Sequence, residues 1–540
     1  MDNLTNHDAM GFPQPIRFYC GGTIVAVRDL PITTTVLQWL RQHSGRPGTK
    51  EGCAEGDCGA CTVIVAELCP EGAPARYAIR VDHLALRPIN ACIRFLPTLH
   101  GKALLTVEDL QTITPEALHP VQQAMLDCHA SQCGFCTPGF VMSLFATYTR
   151  HTAANTRPAR ADVANDLAGN LCRCTGYRPI LDAAERMFDL PRVTLDTAPI
   201  TAALRAIAET TPPVFEYRAP HPAYGTAETP RVDCYSAPTT VAALDDVYAA
   251  RPHARLLAGA TDIGLWVNKQ FRDIGDVIAL NEVAELRTLT LDRARLVIGA
   301  AVPLEDAWAA LIRLVPNCAE MAARFAGPPI RHAGTMGGNI ANGSPIGDAA
   351  PVLLALDAVL TLQCRGRLRR LPLGSFYLDY MRNALAPGEF LRSIEIPPPD
   401  PKTLFAAYKI SKRIDCDIAA LSLAAAIIFA ESAPPGSPAP GDTIADVRLA
   451  FGGMAATVRR ATNAEAALRG HAWTAATLDH AILALADDFT PLTDLRASTV
   501  YRLRVAGNLL RRLWLETRRT DRLPPSATRA RVVAVQGGGA

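Results

Sequence analysis

Two short runs rich in β-branched and aromatic residues, Ile16 to Cys20 and Thr23 to Val27, flank Gly21-Gly22. That pattern predicts a β-hairpin, because glycine supplies the positive φ of a two-residue turn. From Thr33 to Gln42 the period changes. Val36, Leu37 and Leu40 recur at helical spacing, so a short helix is expected. Cys61 to Ala66 reads as a strand. Four helical segments follow, at about Pro120 to His129, Pro138 to Arg150, Ala159 to Ala168 and Arg178 to Leu190. In the last, Ile180, Leu181, Ala184, Met187 and Phe188 share one apolar face. Pro191 to Thr240 is rich in Pro, Thr and Ala and reads as a linker, with a helical stretch near Ile200 to Ile207. Beyond Pro397-Pro398-Pro399, strands are expected at Leu404 to Ser411 and Ile418 to Ala430, and helices at Val458 to Arg469 and Val500 to Thr517. Ser432 to Gly441 carries four prolines and reads as an exposed loop. Pro524 to Ala540 has no burial pattern and reads as a disordered tail.

Composition narrows the class. The 540 residues include 54 Lys+Arg and 52 Asp+Glu, a formal net charge of +2. That balance excludes a strongly basic nucleic-acid binder. The longest apolar run, Ile418 to Ala430, is broken by Ser422 and is too short for a span of about 20 residues. The polar start, Met1-Asp2-Asn3, does not read as a secretory signal, so a cytoplasmic location without membrane attachment is expected. Against that background the 15 cysteines stand out, eleven of them before residue 180. Disulfides are disfavoured in the cytosol, so clustered cysteines point to metal or catalysis.

Cys53, Cys58 and Cys61 form C-x4-C-x2-C, with Cys92 downstream. This is the plant-type ferredoxin spacing for a [2Fe–2S] cluster. Glycines 52, 56 and 59 let the loop curl, so that backbone N–H groups approach the sulfurs. Zinc is the rival metal, although paired C-x2-C knuckles are its commoner pattern. The hairpin, helix and strand around this loop follow the order of a ferredoxin-like β-grasp. A second quartet pairs Cys133 and Cys136 with Cys172 and Cys174. Thr137-Pro138 reads as a helix cap with proline at the first helical position, and Thr175 stands similarly before Pro179. Both pairs then sit at helix N-termini, where free N–H groups stabilise thiolates. Cys20, Cys69, Cys128, Cys234, Cys318, Cys364 and Cys416 have no assigned role; the first three lack partners at ligand spacing.

No G-x-G-x-x-G occurs, which argues against a Rossmann dinucleotide site. Two other small-residue loops are present, Leu256 to Gly264 and Gly334 to Asp348. Either can cradle a phosphate with backbone N–H groups or be a plain tight turn.

Two [2Fe–2S] patterns in this order resemble the molybdenum hydroxylases, through Lys50 to Thr62, Asn90-Ala91-Cys92, Gln132 to Gly139 and Gly169 to Tyr177. The likeness is greatest to the iron–sulfur/FAD subunits of bacterial purine-oxidising members. The Cys61 to Cys92 gap is long for the family, its extra residues around Pro70 to Pro74 reading as a hairpin tip. The resemblance implies a multidomain α+β chain. Its parts are a β-grasp plant-type domain (14–104), a four-helix [2Fe–2S] domain (105–190), a linker (191–230), a non-Rossmann, PCMH-like FAD-binding domain (231–400), a C-terminal α+β flavoprotein cap (401–522) and the tail (523–540). It also implies FAD contacts from Leu257, Ala258, Gly259, Ala260, Thr261, Asp262, Ile263 and Gly264, then Thr335, Gly338, Asn339, Asn342, Ser344 and Asp348. Phe325 would lie against the isoalloxazine, and Leu391 and Lys409 would complete the contacts. For Phe325 and Leu391 the alternative is core packing; for Lys409 it is a solvated strand residue. Cys416 stands where the family often has an acidic residue. A molybdopterin domain would not fit in addition, so substrate chemistry is expected on a molybdenum-cofactor partner, with no catalytic residue here and a dimer of heterodimers as the assembly. Gln132 and Cys174 match positions facing the molybdopterin. The expected activity is oxidation of hypoxanthine and xanthine to urate, with NAD+ as acceptor. The alternatives are an aldehyde, carbon monoxide or N-heterocycle system, a stand-alone flavin iron–sulfur reductase, or a zinc scaffold.

Overall fold

The computed structural model describes residues 14–69, 79–114, 116–225, 230–292, 295–430, 443–518 and 520–528. The Pro70 to Pro74 tip, the Ser432 to Gly441 loop and residues 529–540 of the tail lie outside these. Strands β1 (Ile16–Cys20) and β2 (Thr23–Val27) make the expected hairpin, with Gly21 and Gly22 at φ 61° and 86°. Helix α1 (Val36–Gln42) is held by a capping box. The Thr35 hydroxyl accepts from the Gln38 N–H, and the Gln38 side chain accepts from the Thr35 N–H. Strands β3 (Thr62–Leu68), β4 (Ile79–Val81), β5 (Leu84–Asn90) and β6 (Ala103–Leu105) complete a six-stranded sheet in the order β2-β1-β6-β3-β5-β4, with β1 and β6 parallel.

Both faces of this sheet are buried, which explains the unbroken apolar run in β3. Val63 and Val65 join a core with Phe18, Trp39 and Phe95. Ile64 and Ala66 join another with Phe140, Phe145 and Ile180. The second core belongs to the helices α2 (Asp109–Ile113), α3 (Pro120–Asp127), α4 (Thr137–Ala154), α5 (Arg160–Asp166) and α6 (Arg178–Arg186).

The expected linker is structured instead. It contains α7 (Ala198–Thr210), strand β7 (Val214–Gly225) and the first residue of β8 (Pro230–Pro238). Its prolines misled because β7 is an edge strand, where a residue without an N–H is tolerated. The sheet runs β7-β8-β10-β9, with α8 (Val241–Ala250), β9 (Arg255–Leu257), α9 (Ile263–Asn268) and β10 (Val277–Ala279) in chain order. β8, β10 and β9 are parallel. Phe215, Tyr217, Leu257 and Val277 enter the same core as Phe18 and Trp39.

All of this, with residues 301–306 and 326–335, is one compact unit; the remainder is a second. The second unit begins with β11 (Leu289–Leu291), β12 (Leu296–Gly299), β13 (Val359–Cys364), β14 (Arg367–Pro372), a small ladder of β15 (Tyr377–Asp379) and β16 (Arg382–Asn383), and β17 (Phe390–Ile396). β18 (Leu404–Ile410), β19 (Leu421–Phe429), β20 (Ile444–Gly452) and β21 (Arg459–Arg460) form an antiparallel sheet. Its core takes Trp473, Leu478, Leu485, Leu509 and Leu510 from helices Ala475–Asp488 and Thr499–Thr517 and the loop before them. The helix expected from Val458 starts only at Thr462, because Arg459 and Arg460 pair with β20 first. The expected tail opens with a helical turn, Pro525–Thr528. No helix among the described residues is long and apolar enough to cross a membrane.

Candidate functional site

The first cysteine quartet is built where β3 and β5 end together. Their register sets Thr62 opposite Asn90, so Cys61 and Cys92 sit side by side, Sγ to Sγ 3.3 Å. The loop before β3 brings the other two. Its turns use positive φ at Ala54, Gly56 and Gly59. The Cys53 sulfur accepts from the backbone N–H of Cys58 at 3.4 Å and of Glu55 at 3.5 Å, and the Asn90 amide points at Cys61 from 3.7 Å. Hydrogen bonds from Cys58 and Cys92 hold the Cys53 thiol far below its usual range, and Cys92 does the same for Cys61. Cys58 and Cys92 are pushed up in exchange. Four sulfurs that share protons and face backbone donors are a donor set that fits a [2Fe–2S] cluster.

The second quartet lies at two helix starts, but its caps differ from expectation. Cys136 itself is the cap residue of α4, while Thr137 is the first helical residue and its hydroxyl meets Ser131 at 2.7 Å. Tyr177, at φ 70°, occupies the cap of α6, and the Thr175 hydroxyl instead donates to the Cys172 sulfur at 3.3 Å. The Cys133 and Cys174 thiols share a hydrogen bond, as do those of Cys136 and Cys172. Burial, then Cys172, pushes the Cys136 thiol up to about 12. Burial opposes ionisation of Cys172 too, yet hydrogen bonds from Thr175 and Cys174 carry its thiol below the usual value. This set also fits a cluster.

The two quartets touch through backbone. The Leu171 N–H donates to the Cys58 carbonyl at 2.9 Å. A Cβ on Gly59 would lie 2.2 Å from the Gly169 carbonyl, and one on Gly139 would lie 2.2 Å from the Gly59 carbonyl. Buried Asn170 locks the contact, donating to the Gly59 carbonyl at 3.1 Å and accepting from Ser143 at 2.7 Å. Ligand spacing gave no hint of Asn170; its position beside Leu171-Cys172 is the only sequence signal. Among the other cysteines, burial pushes Cys20 and Cys318 up to about 12 and raises Cys234, so these thiols stay protonated.

Residues Leu257 to Gly264 run from the end of β9 into α9, at the carboxyl edge of the parallel strands, where such sheets bind ligands. Ala260 takes φ 61° there. A Cβ on Gly259 would sit 2.1 Å from the Ala333 carbonyl, so the loop is pressed onto the residues leading to Thr335. Within the second unit, Lys409 is buried rather than solvated. Its ammonium donates to Asp348 at 2.6 Å and to the Arg324 carbonyl at 2.9 Å. Burial raises the Asp348 carboxyl, and Lys409 counters it. The other Asp348 oxygen is buried with no partner among the described residues, ready to accept from a bound group. Phe325 is half-buried with its ring 6.0 Å from that of Trp308. Leu391 is buried in β17 opposite Leu362. Gly338 is exposed, and Asn339 and Asn342 are half-buried, on the helix Met336–Asn342; Ser344 follows and accepts from the Ile346 N–H at 3.5 Å. In the first unit the glycine-pressed loop fits a bound phosphate, and in the second the orphaned carboxylate oxygen fits a donor of a bound nucleotide, each by itself.

Three family models match: a [2Fe–2S] binding domain over residues 106–185, the FAD binding domain in molybdopterin dehydrogenase over 228–399, and the CO dehydrogenase flavoprotein C-terminal domain over 406–517. Together they define an iron–sulfur flavoprotein. The chain belongs to the molybdenum hydroxylase family, in its iron–sulfur and flavin-binding part. It is 32% identical to a xanthine dehydrogenase of Emericella nidulans over 88% of its own length and 36% of that protein's. It is 32% identical to the xanthine dehydrogenase/oxidase of Mus musculus over 81% and 34%. The chain thus spans about a third of the curated relatives it matches. A carbon monoxide dehydrogenase chain from Hydrogenophaga pseudoflava, from a form lacking the Mo-pyranopterin moiety of the molybdenum cofactor, aligns at 28% identity over 52% of this chain and 94% of that one, with a TM-score of 0.47.

Proposed function

We propose that this chain is the electron-transfer subunit of a xanthine dehydrogenase, carrying two [2Fe–2S] clusters and FAD. A molybdenum-cofactor partner oxidises hypoxanthine or xanthine, and NAD+ is the final acceptor. The observation that carries the reading is the backbone junction of the quartets, in which the neighbour of one ligand, Cys172, hydrogen-bonds the carbonyl of another, Cys58. When bound, the clusters pass single electrons, and the flavin collects two and delivers a hydride. The chain's own residues place these groups. Cys133, Cys136, Cys172 and Cys174 hold the cluster nearer solvent, on the partner's side. Cys53, Cys58, Cys61 and Cys92 hold the enclosed one. Leu257 to Gly264, Thr335, Gly338, Asn339, Asn342, Ser344 and Asp348 hold the nucleotide, with Phe325, Leu391 and Lys409 at the ring. Lys409, held by Asp348, would bring a buried amine donor to the ring, which favours its reduced form.

The test is purification with the partner, followed by assay of xanthine-dependent NAD+ reduction. Activity with xanthine, two iron–sulfur signals and bound FAD support the reading. Activity on an aldehyde but not xanthine reassigns the substrate, and zinc without flavin rejects the role.

A further inference from the structure

The short helix that follows the Leu257–Gly264 loop also grips the enclosed cysteine quartet. Asn268 closes α9. Its side-chain amide donates to two carbonyls, that of Cys92 at 2.6 Å and that of Ala54 at 3.2 Å. Ala54 follows Cys53, so one amide holds both arms of the quartet, the loop before β3 and the ligand after β5. One turn earlier in α9, a Cβ on Gly264 would lie 2.6 Å from the Ile93 carbonyl. Backbone therefore rests on backbone beside Cys92, and only glycine permits that approach. The helix has the proposed flavin loop at one end and a ligand carbonyl at the other.

We propose that Asn268 is a positioning residue for electron transfer from the Cys53/Cys58/Cys61/Cys92 cluster to the flavin. The inference rests on the two-cluster and flavin reading above. Its amide fixes the distance between the quartet and the loop that begins α9. Its donors also draw electron density from the Cys92 peptide, which favours the reduced cluster and raises its potential, as hydrogen bonds around ligands do. The step served moves one electron at a time: the cluster is oxidised, the flavin is reduced, and no bond on the chain is made or broken.

The bland alternative is a loop staple with no effect on the cluster. The two are separated in the holoenzyme complex by Asn268→Asp, which turns a donor into a negatively charged acceptor facing two carbonyls, and by Asn268→Gln, which keeps a donor. Midpoint potential is read by electron paramagnetic resonance during redox titration, and flavin reduction by stopped flow. Asn268→Asp should lower the potential of the enclosed cluster alone, leaving iron content and the other cluster's signal unchanged. The enclosed cluster then takes an electron less readily from the other cluster, so its filling limits the sequence and flavin reduction should slow by up to about tenfold, the scale of one lost hydrogen bond. Asn268→Gln should recover part of both effects. A lower melting temperature with unchanged potential and rate, or no change in any readout, overturns the proposal. Wild-type holoenzyme that lacks flavin or the enclosed cluster's signal would defeat the underlying functional reading instead.

Discussion

Cys61 and Cys92 are 1% and 3% exposed, whereas Cys133 and Cys174 of the other quartet stand in solvent. The enclosed quartet is wrapped by its own loop, whose N–H groups turn inward to sulfur. The exposed quartet depends on two helix starts and a threonine hydroxyl. Added negative charge costs more where water is excluded, so the two surroundings would separate the potentials of the two clusters proposed above. The contrast also orders them: Cys133 and Cys174 face solvent, where another protein can meet them, whereas Cys61 and Cys92 are buried behind half-buried Cys53 and Cys58.

Ligand removal tests this most severely. Cys61→Ser and Cys133→Ser should each abolish one cluster, removing about half the iron and one of two paramagnetic signals. The enclosed variant should also melt lower, because Cys61 lies in the core beneath β3. Equal melting temperatures would break the contrast. Next in size is the junction. Gly59→Ala combines a left-handed φ of 69° with a Cβ 2.2 Å from the Gly169 carbonyl, and should cost about 4 kcal/mol in a denaturant titration. Gly134→Ala, at φ 81° with nothing within 4 Å, should cost only about 1 kcal/mol.

Acid probes the helical side. Burial lowers His119 to about 4 in the fold, while its ordinary value is near 6.5. Below that ordinary value the unfolded chain takes up a proton that the folded chain refuses. The stabilisation is therefore complete above pH 6.5 and is lost as pH falls toward 4, by about 3 kcal/mol at most. His119 caps α3 by accepting from Val121, and protonation would remove that acceptor. His119→Asn keeps a capping oxygen without the titration, so it should flatten the pH dependence of the melting temperature in this range.

Both quartets were legible because ligand spacing and curling glycines are local in sequence. So were the hairpin and the helical layer. What stayed hidden was set by distant residues. Thr137 looks like a cap until Ser131 takes its hydroxyl, and the prolines of β7 read as a linker until β8 makes it an edge strand. Lys409 suits a solvated strand until Asp348 is folded against it. Asn170 and Asn268 carry no pattern, since each acts on a carbonyl more than a hundred residues away.

The smallest expected effect sharpens the contrast most finely. Thr175 donates one hydroxyl to Cys172, and Thr175→Val removes that donor while keeping shape. The thiolate then holds more charge, so adding an electron becomes harder. One neutral hydrogen bond is worth about 1 kcal/mol, so the potential of the exposed cluster should fall by a small, measurable amount. The enclosed cluster should not move, because its sulfurs take their donors from residues 55, 58 and 90. Redox titration followed by electron paramagnetic resonance resolves the two signals in one sample. A shift in both signals would mean that the Cys58–Leu171 junction transmits charge as well as joining the loops, and the two surroundings would then be electrically one.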